Sequence, residues 1–235
     1  AAVQLDPMAV VLSDNGPAFS EFYGNVPGKR GIATYPELLQ TFADVAEGAT
    51  LGRVILVGFS EGCQAIRTHA MDGYFADGAV CADGTHLGIP AEGDKRAAWQ
   101  ALVDRAASGG APFAASHSHI VTEPSYMSTR AVLSLLTGHE MPSSDAIEDL
   151  GTYRDGNLTV RSWGGTTAPA HVNQATNVLP LLLADVLATA VPGGGSSYSG
   201  GGRIVFKLVA MAVGTVAGVV GAKWLMDLLE LPVPE

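Results

Sequence analysis

A serine, a carboxylate and a histidine follow one another along this chain in an order that suits acyl transfer. The serine is Ser60, within Gly58–Gly62, a complete match to the pattern G-x-S-x-G; the histidine is His171, and Asp83 and Glu123 are the candidate acids between them. A serine hydroxyl is a weak nucleophile until a base takes its proton and a third group orients that base. The spacing therefore indicates nucleophilic attack by Ser60 on a carbonyl carbon.

The context of Ser60 is the one that such a motif requires. An apolar run at 53–57 enters the motif directly, and the residues from 61 onward predict a helix. A strand followed at once by a helix forces a sharp turn, and Gly58 and Gly62 let the two elements approach closely around Ser60. The backbone N–H of Glu61 then lies in the first helical turn, where it would face a developing oxyanion.

The base and the acid are placed by the predicted strand ends. His171 lies between the last predicted strand, 158–163, and the helix that follows. Asp83 comes directly after strand 78–82, whereas Glu123 lies farther beyond strand 112–116. We favour Asp83 as the acid because a residue at a strand tip is better fixed. Glu123 remains the alternative acid.

The remaining polar residues of the predicted site have weaker signals. A second oxyanion donor is expected from the loop after the first strand, where Asn15 or Gly16 offers a backbone N–H. His117 and His119 alternate along a strand and so point the same way, and Asp83 or His86 could join them as metal ligands. Zinc needs three or four ligands in fixed geometry, so we favour a polar rim and expect neither metal nor cofactor.

Strands alternate with helices along residues 5–190, which predicts an α/β fold. Such alternation implies crossover connections and a doubly wound, mostly parallel sheet, here of about six strands. The expected strands are 8–12, 31–35, 53–57, 78–82, 112–116 and 158–163. The expected helices are 18–23, 36–47, 61–71, 94–107, 126–137 and 172–189.

The C-terminal region has a different composition. Residues 191–203 are a Gly/Ser-rich linker between a catalytic domain, 1–190, and an apolar segment, 204–230. This segment is expected to form a separate apolar helix, with an uncharged stretch at 208–222 and a small-residue pair, Gly214 and Gly218. We expect it to anchor the chain in a membrane with the catalytic domain on the cytoplasmic side, or to self-associate into a homo-oligomer; a cytoplasmic or virion-associated protein is the alternative.

The net charge limits the classes of partner, and the two cysteines have a structural interpretation. The formal net charge is −10, and no basic run is present to neutralise phosphates, which argues against a nucleic-acid partner and leaves a small acyl substrate. Cys63 and Cys81 stand in apolar elements and are expected to be reduced, buried thiols.

Residues 5–190 resemble the α/β-hydrolase superfamily. The resemblance rests on the Gly58–Gly62 motif, the loop that holds Asn15 and Gly16, and His171. It implies transfer of an acyl group from an ester or amide to water, with Ser60 as nucleophile and His171 as base. We expect an esterase-like serine hydrolase. The rival hypothesis is a non-catalytic structural or assembly protein, in a membrane or a viral particle, built on the same scaffold.

Overall fold

The computed structural model describes residues 8–13, 36, 40, 50–91, 93–120, 125–189 and 205–213. These residues form a mixed α/β fold with a mostly parallel sheet, as the alternation of elements predicted. The strands are β1 Met8–Ser13, β2 Thr50–Phe59, β3 Gly78–Ala82, β4 Leu87–Gly88, β5 Phe113–His117, β6 Tyr126–Met127, β7 Asp149–Asp155, β8 Leu158–Trp163 and β9 Val205–Val213. The helices are α1 Cys63–Met71, α2 Asp94–Ala107, α3 Thr129–Thr137, α4 Ala168–Asn173 and α5 Leu179–Ala188.

The main sheet brings the ends of its parallel strands to one edge. Its described strands lie in the order β1-β9-β2-β3-β5-β8-β7, and all neighbours are parallel except β7 and β8. Parallel neighbours share the direction of their carboxyl ends, which is where open α/β sheets place their sites. The residues that follow β2, β3, β5 and β8 therefore meet at this edge. A separate pair, β4 and β6, is antiparallel.

Apolar side chains cover both faces of the sheet. Along β2, Val54 and Leu56 belong to one buried cluster, whereas Ile55 and Val57 belong to a second. Because successive side chains of a strand point to opposite faces, the two clusters lie on opposite sides of the sheet. Helices α1, α2 and α3 pack in the first cluster, and α5 packs in the second. Both free thiols, Cys63 and Cys81, are buried as expected.

The segment 138–157, which carries no strand in the sequence prediction, includes β7. This strand pairs antiparallel with β8 at the sheet edge, and its side chains are mostly exposed. Its polar sequence gives no apolar alternation, so strand propensity did not reveal it. The signal that was available is Gly156-Asn157, a two-residue loop of a type common in tight hairpins, which lies between β7 and β8.

Two helices differ from their predicted bounds. Helix α3 begins at Thr129 rather than 126, because Ser128 caps it by accepting the N–H of Ala131 and the preceding residues form β6. The predicted helix 172–189 is divided into α4, a π-helical turn Gln174–Val178 and α5. Pro180, near the start of α5, has no N–H to continue the ladder, which accounts for the break.

The expected helix at 204–230 is wrong for its first part. Val205–Val213 is strand β9, which lies between β1 and β2 and pairs parallel with both. A short apolar run does not by itself distinguish a buried strand from a helix, and here sheet pairing decides. Residues 214–235, the linker 191–203, helix 18–23 and strand 31–35 lie outside the described residues. Within the described part of the chain, no helix has the length and apolar composition to cross a bilayer.

We predict that Asp185 holds the β7–β8 hairpin to α5. Its carboxylate accepts hydrogen bonds from Arg161 Nε at 2.8 Å and Arg154 Nη2 at 2.9 Å. Asp185→Asn should lower the free energy of unfolding by about 1–2 kcal/mol in urea titrations, because two guanidinium groups lose an anionic partner. Asp155→Asn, on the same hairpin but exposed, should change it by less than about 0.5 kcal/mol. Equal losses would contradict this role.

Candidate active site

Ser60 stands on a strained turn between β2 and α1. It follows the last residue of β2 and begins a 3-10 turn, Ser60–Gly62, that leads into α1. Its φ of +55° is unusual for a residue with a side chain and persists only where the surroundings enforce it. A Cβ at Gly58 would lie 2.7 Å from Cα of Cys63, so strand and helix approach too closely for any other residue.

Asp83 occupies a second strained turn, directly after β3. Its φ is +46°, and only 4% of its surface is exposed. The next residue, Gly84, lies against the turn that bears Ser60, because a Cβ at Gly84 would overlap the carbonyl oxygen of Ser60 and Sγ of Cys63. Gln64 of α1 donates a hydrogen bond to the carbonyl of Gly84 at 2.5 Å. The turn that bears the acid is thus packed on the turn that bears the serine.

His171 links these two residues. It lies within α4, after the loop that leaves β8, and its Nε2 is 2.8 Å from Oγ of Ser60. Its Nδ1 is 2.8 Å from Oδ2 of Asp83. The ring of Phe59 lies beside the imidazole, with ring centroids 4.6 Å apart. The structure therefore brings Ser60, His171 and Asp83 into one continuous hydrogen-bonded chain.

The hydrogen-bond partners fix where the imidazole proton lies. An ionised carboxylate only accepts, so Nδ1 of His171 donates to Asp83 and the lone pair of Nε2 faces Ser60. Burial acts to raise the pKa of Asp83, but the hydrogen bond from His171, the attraction to the protonated form of that ring, and two hydrogen bonds from Ser118 outweigh burial and hold the pKa below its usual value. Asp83 therefore remains a carboxylate at neutral pH.

Ser118 is a member of this site that the sequence reasoning missed. Its hydroxyl donates to Oδ2 of Asp83 at 2.6 Å, and its backbone N–H donates to Oδ1 at 3.0 Å. Both contacts arise because β3 and β5 are parallel neighbours whose tips meet. The available signal was positional: Ser118 follows β5 directly, as Asp83 follows β3.

The other predicted residues have different outcomes. Glu61 is the second residue of the 3-10 turn and directly follows Ser60, so its backbone N–H lies in the first turn after the strand. Partial burial raises the pKa of its carboxyl group. Asn15, Gly16 and Glu123 lie outside the described residues. Among described carboxylates, Asp83 is the one hydrogen-bonded to Nδ1 of His171.

His117 and His119 do not converge on a common point. His117 is fully buried, with Nδ1 3.2 Å from the carbonyl of Ser118 and Nε2 2.9 Å from Oγ of Ser162. His119 Nδ1 instead lies 3.6 Å from a carboxylate oxygen of Asp145. Across the described ranges, no group of three histidine, cysteine or carboxylate side chains is arranged to hold a metal ion.

Comparisons with known proteins give no match, so the assignment of a function rests on the geometry of this site. No family model, curated protein or solved structure matches the chain.

We predict that Gly84 cannot carry a side chain without displacing Ser60. In Gly84→Ala, the added methyl group would overlap the carbonyl of Ser60, so the rate of Ser60 labelling by a fluorophosphonate should fall at least tenfold. Gly88→Ala is the matched control, because the nearest atom to a Cβ there is 3.9 Å away. Its labelling rate should stay within twofold of wild type. A Gly84→Ala protein that is labelled at the wild-type rate would contradict the packing described.

Proposed function

We propose that this chain is a serine hydrolase that cleaves esters through an acyl-enzyme intermediate. The observation that carries the proposal is the chain of hydrogen bonds from Asp83 through His171 to Ser60, with both links 2.8 Å long. A nucleophile within hydrogen-bond distance of a base, which a third group orients in turn, is the arrangement that activates a serine hydroxyl. Its three members come from different elements and converge at the carboxyl edge of the sheet.

Acylation begins with proton transfer from Ser60 to His171. As Oγ forms a bond to the carbonyl carbon of the substrate, Nε2 of His171 takes the hydroxyl proton. The resulting imidazolium is stabilised by Asp83, which stays ionised throughout. The carbonyl oxygen becomes an oxyanion, for which the backbone N–H of Glu61 is the proposed donor. Collapse of the tetrahedral intermediate breaks the ester C–O bond, and the leaving alkoxide receives the proton from Nε2.

Deacylation repeats these steps with water. Nε2 of His171 takes a proton from the water while its oxygen attacks the acyl carbon, and collapse returns that proton to Oγ of Ser60. The products are a carboxylic acid and the free enzyme. No residue changes oxidation state, so the proposed cycle needs no redox cofactor.

We also propose that the domain is a minimal, doubly wound α/β-hydrolase. Helices cover both faces of the mostly parallel sheet, and the serine occupies a strand-to-helix turn with positive φ. The chain order of serine, aspartate and histidine is the order expected of that arrangement. These observations support the architecture and the chain order of the three residues. The proposed substrate is a small ester.

The rival hypothesis, a non-catalytic scaffold, fits the geometry less well. A scaffold has no need to keep a strained serine, a histidine with its free lone pair toward that serine, and an ionised carboxylate behind it. Strain and buried charge both cost stability, and they persist where function requires them. These features favour the hydrolase.

Covalent labelling tests the proposal directly. Intact wild-type protein treated with a fluorophosphonate should gain the mass of one phosphonyl group, and peptide mapping should locate it on Ser60. Ser60→Ala should gain none. Ser108→Ala, which removes an exposed hydroxyl that donates to the carbonyl of Arg105, should label like wild type. A wild-type protein that stays unlabelled while folded would sink the proposal.

The acid has a separate test. Asp83→Asn keeps the side-chain volume but lets the amide donate to Nδ1 of His171, which favours the tautomer whose Nε2 carries the proton. Hydrolysis of p-nitrophenyl butyrate should therefore fall by about 10²–10⁴-fold in kcat at pH 7. Asp155→Asn should leave kcat unchanged, and a kcat within twofold of wild type for Asp83→Asn would remove Asp83 from the mechanism.

A role for the C-terminal segment in membrane binding or self-association remains a separate proposal. It rests on the apolar composition and on the spacing of Gly214 and Gly218. Strand β9 takes up the first part of that segment, through Val213. Partition of the full chain between detergent-rich and aqueous phases, with and without residues 214–235, tests the proposal.

A further inference from the structure

Besides His171, a polar cluster at the tip of β5 also holds the carboxylate of Asp83. Ser118 contributes two donors to it, one from its hydroxyl group and one from its backbone. The backbone N–H of Ile120 lies 3.4 Å from Oγ of Ser118, which leaves the hydroxyl proton directed at Asp83. Ser118 is 2% exposed, so water does not replace these contacts readily.

We propose that Ser118 is a positioning residue that keeps Asp83 oriented and ionised for His171, and that His117, held by Ser162, fixes Ser118 in turn. This inference rests on the proposed hydrolase function. It adds residues behind the acid whose hydrogen bonds connect them to Asp83 and to one another.

The geometry explains why the acid needs such support. The torsion that rotates a carboxylate about its last bond has broad minima and is poorly fixed by packing alone. Oδ2 of Asp83 accepts from both His171 and the Ser118 hydroxyl, while Oδ1 accepts the Ser118 N–H. Three donors from two directions define the carboxylate plane. Without Ser118, the bond to His171 would be the one hydrogen bond left to the carboxylate among the described residues.

His117 completes the cluster as a neutral side chain. Burial lowers the pKa of His117 to about 4, so at neutral pH one ring nitrogen donates and the other accepts. Nδ1 then donates to the carbonyl of Ser118, and Nε2 accepts from the hydroxyl of Ser162. The register of β5 and β8 pairs His117 with Ser162 directly. Gln174 also donates to the carbonyl of His117, at 3.3 Å.

The titratable groups around Asp83 define how pH should act. Within the described part of the chain these are His171 on α4, His117 on β5, His86 beyond β3 and the Cys63 thiol on α1. Removal of the Ser118 hydroxyl takes away a donor that favours the charged carboxylate, so the pKa of Asp83 should rise. Because the proposed mechanism requires the ionised carboxylate of Asp83, the acid limb of the pH–rate profile should move to higher pH.

The test measures Ser118→Ala with p-nitrophenyl butyrate across pH 4–9. We expect kcat to fall about 10- to 100-fold with KM within twofold of wild type, and the acid limb to move upward by at least half a pH unit. Titration with a fluorophosphonate counts the competent sites, so kcat refers to folded enzyme even if the variant is less stable.

Ser116→Ala is the matched control. Ser116 lies two residues earlier, on β5, is fully buried, and its Oγ has no hydrogen-bond partner among the residues that the structure describes. It should keep the wild-type kcat and acid limb. Ser162→Ala tests the outer layer, and should move the limb in the same direction by a smaller amount. It also carries the test if Ser118→Ala does not fold.

The outcomes separate this inference from the proposed function. A wild-type protein without labelling or hydrolysis would overturn the hydrolase itself. An active wild type whose Ser118→Ala variant keeps its kcat and acid limb would overturn the role of Ser118 alone. An acid limb that shifts equally in Ser116→Ala would mean that packing, not donation to Asp83, is responsible. An unchanged Ser162→Ala would remove His117 and Ser162 from the positioning layer.

Discussion

The contact between Gly84 and the carbonyl oxygen of Ser60 sets the distance on which the rest of the site depends. Ser60 and Asp83 both have positive φ, at +55° and +46°, and each follows the tip of its own strand. Two strained turns on neighbouring parallel strands can pack together only if one of them lacks a side chain at the contact, which Gly84 provides. His171 then needs to span only the gap between two groups whose separation is already fixed.

A competition between burial and hydrogen bonding governs the charge of Asp83. Transfer of a carboxylate from water into the protein favours the neutral acid, and desolvation is the largest single influence on this group. The donors from His171 and Ser118 reverse the balance, each through a charge-assisted hydrogen bond that is stronger than a neutral one. Burial, which disfavours the charged form of Asp83, also excludes water that would compete for these hydrogen bonds. Asp83 is thus held in its ionised form by the full set of donors from His171 and Ser118.

The sequence predicted those parts of the site that depend on neighbours along the chain. Gly58, Ser60 and Gly62 define a turn within five residues, and Asp83 ends a strand whose bounds are clear from its apolar run. Ser118 was not predicted, because its role follows from the pairing of β3 with β5, which brings together residues 35 positions apart. Strand β7 was missed since an exposed edge strand needs no apolar pattern. Pro180 is a signal in the sequence that helix 172–189 is divided. The π-helical form of the turn at the division depends on tertiary packing.

Strand β2 is the element that most constrains the placement of the C-terminal segment. Val54–Val57 are nearly inaccessible, with apolar side chains on both faces, which is the pattern of a central strand in a parallel sheet. Such a strand needs hydrogen-bonding neighbours on both sides, and β3 supplies only one of them. The apolar run at 205–213 satisfies the other side as β9, and its own second edge is covered by β1. The strand that leads to Ser60 is therefore paired on both edges, which limits movement of the turn that bears Ser60. The apolar segment, which from sequence alone is interpreted as an anchor, thus contributes strand β9 to the sheet through its first part.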